Sequence, residues 1–135
     1  MIKNYNSYIK ENVQFTKNGE LSINNSLKFD IEIANTPQQI QRGLMYRKQM
    51  DENKGMLFIF EYEDFWKFWM KNTYIPLDII YINKDKEIVD IKKNTTPLSL
   101  KSLTPYEKSL YVLEINGGMC DKYKIKIGNK INFYG

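Results

Sequence analysis

The sequence predicts one α+β domain in which a mainly antiparallel sheet of about seven strands curls into a partial β-barrel, with one capped helix and one short helix. Short apolar or alternating segments of strand length recur along the chain, and turn residues separate them. Only one segment carries a complete helix-start signal, and 135 residues is a usual length for a single domain. A strand-rich chain with short connections favours an antiparallel sheet that curls towards a barrel.

The N-terminal part of the chain, residues 1–27, is predicted to be an arm that is loosely structured or forms an edge strand. It is rich in Asn and Lys, and Asn24-Asn25 is a turn signal. Charged and apolar residues then alternate strictly, which predicts a half-buried strand at residues 28–33. We therefore expect the single α+β domain to span residues 28–135.

A helix is predicted directly after this strand. Thr36 is a suitable N-cap, Pro37 suits the first helical position, and Gln39 can complete a capping box with Thr36. We expect the helix to run from Pro37 to about Tyr46. Gly43 would lie inside this helix, where a Gly usually indicates the close approach of another backbone.

The rest of the chain supplies six more segments of strand length, each with period-two alternation or a continuous apolar run. A hairpin turn is expected at residues 83–86, a long loop at 94–108 and a short helical turn at 119–123. The six predicted strands are residues 56–60, 66–72, 78–82, 87–91, 110–115 and 130–133.

The composition excludes several kinds of chemistry. The chain has no His and one Cys, Cys120, which excludes His-based catalytic triads, His-ligated metals, intrachain disulfides and thiolate zinc clusters. Carboxylate oxygens alone could still bind a hard cation, but we expect neither a metal nor a cofactor. We expect Cys120 to be buried and inert, because no His can act as its base.

Charge and hydropathy argue against nucleic acid and membranes as partners. The net charge of +4 is spread evenly, without a basic stripe. No apolar run approaches the ~18 residues of a membrane span. Residues 1–20 lack an apolar leader region, which predicts a cytoplasmic protein or an exported protein whose signal has been removed. The sequence leaves the oligomeric state open.

Four blocks of the sequence are distinctive. They read Arg-Gly-Leu-Met-Tyr-Arg at residues 42–47, Gly-Met-Leu-Phe at 55–58, Trp-Met-Lys-Asn-Thr-Tyr-Ile-Pro-Leu-Asp at 69–78 and Tyr-Val-Leu-Glu at 111–114. Together they resemble the family called domain of unknown function 192, over roughly residues 28–133. The resemblance implies a compact mixed α/β fold rich in antiparallel strands and no particular activity. The family's closing segment often reads Gly-Asp where this chain has Gly128-Asn129, so no role is assigned to position 129.

Polar residues of the third block are candidate ligand contacts. Asn72 offers an amide, Thr73 a hydroxyl and Asp78 two acceptor oxygens, at the rim of an apolar strand face. The alternative is that they satisfy backbone N–H groups in the connection between two strands, which Pro76 stiffens.

Arginine occurs only as Arg42 and Arg47 among the 20 basic residues. A guanidinium can bind a carboxylate or phosphate through two parallel hydrogen bonds, which Lys cannot do, so Arg47 is a candidate anion contact. The alternative is an internal salt bridge from Arg47 to Asp78 or Glu114.

Four of the five residues at positions 66–70 are aromatic or Met. Trp69 shares a predicted strand face with two lysines and is the candidate exposed ring, so that Trp69 or Met70 could form the apolar wall of a pocket. The alternative is a second apolar cluster beneath the 94–108 loop.

Glu114 interrupts an apolar strand. Burial would raise the pKa of its carboxyl group, whereas a nearby Arg would keep it ionised. Paired with Asp78, it could support acid–base chemistry or hold a hard cation.

We expect a binding module without a metal, for a small polar or anionic ligand or a peptide. One alternative is a metal-independent enzyme that uses Asp78 and Glu114, and another is a structural or protein-interaction domain. No catalytic residue is assigned. The candidate ligand-binding residues are Arg47, Trp69, Met70, Asn72, Thr73, Asp78 and Glu114.

Overall fold

The computed structural model describes residues 13–135, and these residues form a seven-stranded sheet with two short helices. The first part of the predicted arm, residues 1–12, lies outside the described residues, and the division into arm and domain stays a prediction. The strands are β1 (Asn18–Ile23), β2 (Leu27–Ala34), β3 (Lys54–Asp64), β4 (Leu77–Ile82), β5 (Ile88–Lys92), β6 (Ser109–Asn116) and β7 (Ile131–Tyr134), and the helices are α1 (Pro37–Arg42) and α2 (Met119–Tyr123).

The sheet has the strand order β5-β4-β6-β3-β2-β1-β7. Its strands pair antiparallel with the exception of β2 and β3, which are parallel because α1 and the following loop carry the chain back across the sheet between them. The sheet curls until β5 and β7 approach, where Glu87 pairs with Lys130 and the Ile88 N–H donates to the Asn129 carbonyl. The fold is therefore a curled, mostly β half-barrel, as predicted, although its sheet is mixed.

Both faces of the half-barrel are apolar, and each is covered. The inner face encloses one core, and α2 packs against this core through Met119 and Cys120. The outer face of β3, β4 and β6 carries a second core, which α1 and the loops around residues 65–76 and 94–108 cover. Because side chains alternate along a strand, successive residues of β4 and β6 serve different cores. None of the helices within residues 13–135 has the length and apolarity needed to cross a membrane.

The start of α1 confirms the predicted capping box. The Thr36 hydroxyl accepts from the Gln39 N–H at 3.2 Å, and the Gln39 side chain accepts from the Thr36 N–H at 3.3 Å. The predicted end at about Tyr46 is wrong, because the helix ends at Arg42 and Gly43 caps it. Gly43 has φ 49° and ψ −134°, a backbone conformation that residues with a Cβ rarely adopt, and the chain leaves the helix at this residue.

The predicted strand at residues 66–72 is wrong. This segment crosses over the outer face as irregular chain, joined to the 94–108 loop by the bridge between Phe68 and Leu103 and by a hydrogen bond from the Met70 N–H to the Ser99 carbonyl. Its alternation arises because Phe68 and Met70 point down into the outer core while Trp69 remains exposed. The seventh strand is instead β1, within the predicted arm, whose hairpin with β2 turns at Asn24 and Asn25 with positive φ.

Candidate functional site

A cavity of about 240 Å³ opens on the outer face of the sheet. It lies between the end of α1, strands β3 and β6, and the segment that crosses over them. We call it the outer pocket. Five aromatic rings form part of its wall, namely Phe58, Phe60, Trp66, Phe68 and Trp69.

The aromatic wall follows from the alternation of β3. Phe58 and Phe60 lie two residues apart and therefore project from the same face of the sheet. Trp66 stacks on Phe60 with the ring centroids 4.2 Å apart, and its indole N–H donates to the Tyr62 carbonyl at 3.2 Å. Phe68 meets Phe58 edge to face, with the centroids 5.0 Å apart. These ring contacts hold the rings of the wall against one another.

The end of α1 forms the opposite side of the pocket. A Cβ at Gly43 would lie 3.3 Å from the Phe58 ring, which is closer than most Cβ contacts, so Gly favours this close approach of the helix end to the wall. Leu44 is buried beneath the turn. Arg42 also lines the pocket, with its guanidinium carbon 5.0 Å from the centre of the Tyr46 ring, and burial lowers the pKa of this guanidinium.

Glu114 is the buried carboxyl group of the pocket. It lies on β6 directly opposite Met56 of β3 and Ile79 of β4, and only 4% of it is exposed. The part of the chain that the structure describes offers it neither a hydrogen bond nor an ion pair, and burial raises its pKa to about 8. At neutral pH the folded protein therefore holds Glu114 mainly as the uncharged acid, with its hydrogen-bonding capacity unused.

Two other predicted site residues also line the pocket. Thr73 is buried, and its hydroxyl donates to the Lys71 carbonyl at 3.1 Å. Trp69 is 46% exposed at the rim, where the Lys71 ammonium lies 5.2 Å from its ring centre. The structure thus brings Thr73, Trp69 and Glu114 together in one cavity.

Asp78 lies on the inner face of the sheet, away from the pocket. Its carboxylate accepts from the backbone N–H groups of Asn94 (2.9 Å), Gly118 (3.2 Å) and Cys120 (2.8 Å). It therefore anchors a loop and the start of α2 to β4, rather than the 73–77 connection. Burial, and then the nearby Asp78 charge, raise the pKa of the Cys120 thiol.

The proposed pairing of Asp78 with Glu114 does not occur. In the pairing of β4 with β6, Asp78 lies opposite Ile115, and the next residue of β4, Ile79, lies opposite Glu114. The two carboxyl groups therefore belong to neighbouring residue pairs of the two strands. Since adjacent residues project to opposite faces, the sheet itself separates them. They cannot share a proton, a substrate or a cation. Among residues 13–135, no three or more His, Cys, Asp or Glu side chains are grouped so as to hold a metal ion.

Arg47 pairs with Glu32, not with Asp78 or Glu114. The two side chains form a bidentate ion pair in which Nη2 and Oε2 are 3.1 Å apart. Glu32 is available because the alternation of β2 places it on the outer face, while Ile31 and Ile33 face the inner core. Arg47 is thus held by β2 and does not line the outer pocket.

Asn72 and Met70 also have structural contacts outside the pocket. Asn72 adopts φ 54°, its side-chain amide donates to the Tyr46 hydroxyl at 2.9 Å, and its carbonyl accepts from the Tyr46 N–H. Met70 is buried in the outer core, where its sulfur lies 3.1 Å from the Thr95 hydroxyl. Four of the seven predicted contacts, Arg47, Met70, Asn72 and Asp78, therefore lie outside the pocket lining.

The aromatic wall was missed as part of the site. The run at residues 56–60 predicts a strand covered on both faces, which is true for its first half. Two features of the sequence together could have indicated a pocket. One apolar strand contains the single charged residue Glu114, and another contains two aromatic residues at alternate positions, Phe58 and Phe60. Only the β3–β6 register places these residues on one face.

Comparison with known proteins gives a family and two solved relatives. The family model described as "Uncharacterized ACR", domain of unknown function 192, matches residues 19–133. A protein of unknown function from Novosphingobium aromaticivorans DSM 12444 is 34% identical, with a TM-score of 0.81 over 84% of this chain and 83% of that one. A Sinorhizobium meliloti 1021 protein provisionally described as a transcription regulator is 35% identical, with a TM-score of 0.83 over 90% and 96% of the two chains. No curated protein matches the chain.

Proposed function

The chain belongs to the domain of unknown function 192 family, and we propose that its fold serves as a binding module for a small ligand with a polar group, held in the outer pocket. The observation that carries this proposal is Glu114, a carboxyl group at an aromatic cavity that is only 4% exposed and has neither a hydrogen bond nor an ion pair within residues 13–135. Leaving a buried polar group without a partner costs ~1–3 kcal/mol. Sites that sacrifice stability in this way are typically functional.

The size of the pocket limits the ligand. A volume of about 240 Å³ is below the ~300–1,000 Å³ of sites for drug-sized molecules. The ligand is therefore a small molecule, or one side chain of a peptide whose backbone remains outside. Aromatic walls around a few polar groups are the usual composition of such a site.

The polar contacts of the ligand are Glu114 and Thr73, and Trp69 is the apolar contact at the rim. Arg47 and Asp78 are already committed to Glu32 and to three backbone N–H groups, respectively. We therefore transfer the proposed contacts from those two residues to the wall of the outer pocket. The enzyme that would use two carboxylates is not proposed, because the sheet separates them.

Fragment binding followed by NMR tests the proposal. A panel of four-carbon compounds that end in amine, carboxylate, alcohol or amide is titrated into the ¹⁵N-labelled protein. At least one compound should produce saturable shifts of the Gly43 and Thr73 amides and the Trp66 indole. Saturation of none of them at millimolar concentration, or shifts centred elsewhere, would refute it.

A matched pair of variants assigns the binding to Glu114. Glu114→Gln and Asp121→Asn each replace one carboxyl group with an amide, but Asp121 is exposed on α2 and pairs with Lys93. The first variant should weaken binding and the second should not. Equal binding by both variants would exclude Glu114 as a contact.

A further inference from the structure

We propose that the group bound beside Glu114 is a protonated alkylamine, whose stem packs against the aromatic wall. This inference rests on the proposed function of the outer pocket and names the chemistry of its ligand. It follows from the hydrogen-bonding character of the pocket, from its rings and from its unmatched carboxyl group.

Two of the polar side chains that line the pocket, Thr73 and Glu114, can accept hydrogen bonds from a ligand; Gln41, Arg42 and Lys67 also line it. Thr73 has already donated its hydroxyl hydrogen to the Lys71 carbonyl, so its oxygen is left as an acceptor. The Trp66 indole N–H is similarly engaged with the Tyr62 carbonyl. While it is protonated, Glu114 is a donor as well as an acceptor, and once ionised it is an acceptor alone. A ligand that complements Thr73 and the ionised form of Glu114 has to donate, and an ammonium group offers three donors while its charge favours that ionised form.

The walls favour a cation over a neutral donor. Five aromatic rings line the pocket, and a cation within ~6 Å of a ring centre is attracted by the negative face of the ring. The Phe60–Trp66 stack and the Phe58–Phe68 pair give the wall a fixed shape. The same rings accommodate the methylene stem of an alkylamine, so one surface recognises both parts of the ligand.

Within residues 13–135, Glu114 forms no ion pair. Arg42 and Lys67 line the same pocket, but the Arg42 guanidinium lies over the Tyr46 ring and Lys67 is exposed. From β4, Tyr81 faces the same outer core; its phenol donates to the Leu103 carbonyl at 2.6 Å, and burial followed by the charge of Glu114 raises its pKa. A bound ammonium would supply the missing counter-charge directly.

The pH dependence of binding tests this chemistry. Since burial sets the pKa of Glu114 at about 8, the ionised fraction rises from about one in eleven at pH 7 to about ten in eleven at pH 9. Alkylamines stay protonated over most of this range. n-Butylammonium should therefore bind the wild-type protein about tenfold more tightly at pH 9 than at pH 7.

Two probes of similar length serve as comparisons. Pentanoate is an anion and can bind only beside the protonated form of Glu114, so its affinity should be low at pH 7 and lower still at pH 9. The affinity of 1-butanol should change little between pH 7 and pH 9. In Glu114→Gln, n-butylammonium should lose both its affinity and its pH dependence, whereas Asp121→Asn should retain both. Nα-Acetyl-lysine methylamide presents the same amine from a peptide: tighter binding than n-butylammonium supports a peptide source, and equal or weaker binding supports a free amine.

The failures of the two proposals are distinguishable. If pentanoate or 1-butanol binds at Gly43, Trp66 and Thr73 more tightly than n-butylammonium, the amine inference is refuted and the binding module stands. Equal affinity of n-butylammonium at both pH values also refutes the amine inference. If no probe shifts these residues, both proposals are refuted.

Discussion

Replacing Glu114 by Gln should stabilise the protein, and the gain should grow with pH. The folded protein holds the Glu114 carboxyl group with a pKa of about 8, against an ordinary value of 4.5, and burial causes the whole shift. At a pH between these two pKa values, the Glu114 carboxyl group keeps its proton in the folded state and releases it in the unfolded chain. Stability is therefore greatest below about pH 4.5 and falls as the pH rises towards about 8. Gln has the same shape and does not titrate.

The size of the gain follows from the linkage relation. The folded and unfolded states differ in the number of protons that they bind, and this difference is integrated over pH. The result is that the Gln variant should be more stable than the wild type by about 1 kcal/mol at pH 5, about 3 kcal/mol at pH 7 and about 5 kcal/mol at pH 9. Glu114 is only 4% exposed, so solvent screening does not reduce these values substantially. A gain of this size from one isosteric change is unusual, since most substitutions destabilise.

Urea denaturation at pH 5, 7 and 9 measures the difference. Asp121→Asn is the control, because it makes the same chemical change at an exposed position. A Gln variant that is less stable than the wild type at all three values would show that Glu114 has a partner that the Gln cannot replace. A gain that does not change with pH would show that the carboxyl group is not buried as an acid.

Three further substitutions test the framework around the pocket. Asp78→Asn should cost about 3 kcal/mol in urea denaturation, since it weakens charge-assisted bonds to three backbone N–H groups; a loss below ~0.5 kcal/mol would contradict this role. Gly43→Ala should cost ~1–2 kcal/mol because of its φ of 49° and its contact with Phe58, and an unchanged melting temperature would contradict it. A double-mutant cycle on Arg47 and Glu32 should give a coupling of ~0.5–1 kcal/mol that weakens with salt, because about a third of each side chain is exposed; no coupling at low salt would contradict it.

Local chemistry made the helix start predictable. Thr36 and Gln39 satisfy each other's backbone donors within one turn, and Pro37 occupies a position where no N–H is needed. These contacts depend on neighbours in sequence. The end of α1 was missed although Gly43 is a local stop signal, because a Gly can also lie inside a helix where another element approaches closely.

Alternation alone did not distinguish a strand from a covering segment. Residues 66–72 alternate because one side contacts the outer core and the other contacts solvent, and any extended chain over an apolar face does the same. β1 has the reverse problem. It is partly polar, and it pairs with β7, more than 100 residues later in the chain, as well as with its hairpin partner β2.

The site was partly predictable for the same reason. Glu114 is conspicuous as a charged residue in an apolar strand, and this alone made it a candidate. Its separation from Asp78 depends on the pairing register of β4 and β6, which the sequence does not contain. The partner of Arg47 depends on the parallel placement of β2, where Glu32 becomes available across the α1 connection.

The central claim is that Glu114 is a buried carboxyl group and that a hydrogen-bond donor of the ligand pairs with it. The titration of the Glu114 carboxyl group tests this claim most directly. The ¹³C shift of the Glu114 side-chain carboxyl can be followed against pH by NMR, with and without saturating n-butylammonium. The free protein should titrate near the pKa of about 8 that burial imposes, and the bound protein at least one unit lower, because an ammonium stabilises the ionised form. A pKa near 4.5 in the free protein, or one that the amine leaves unchanged, would contradict the claim.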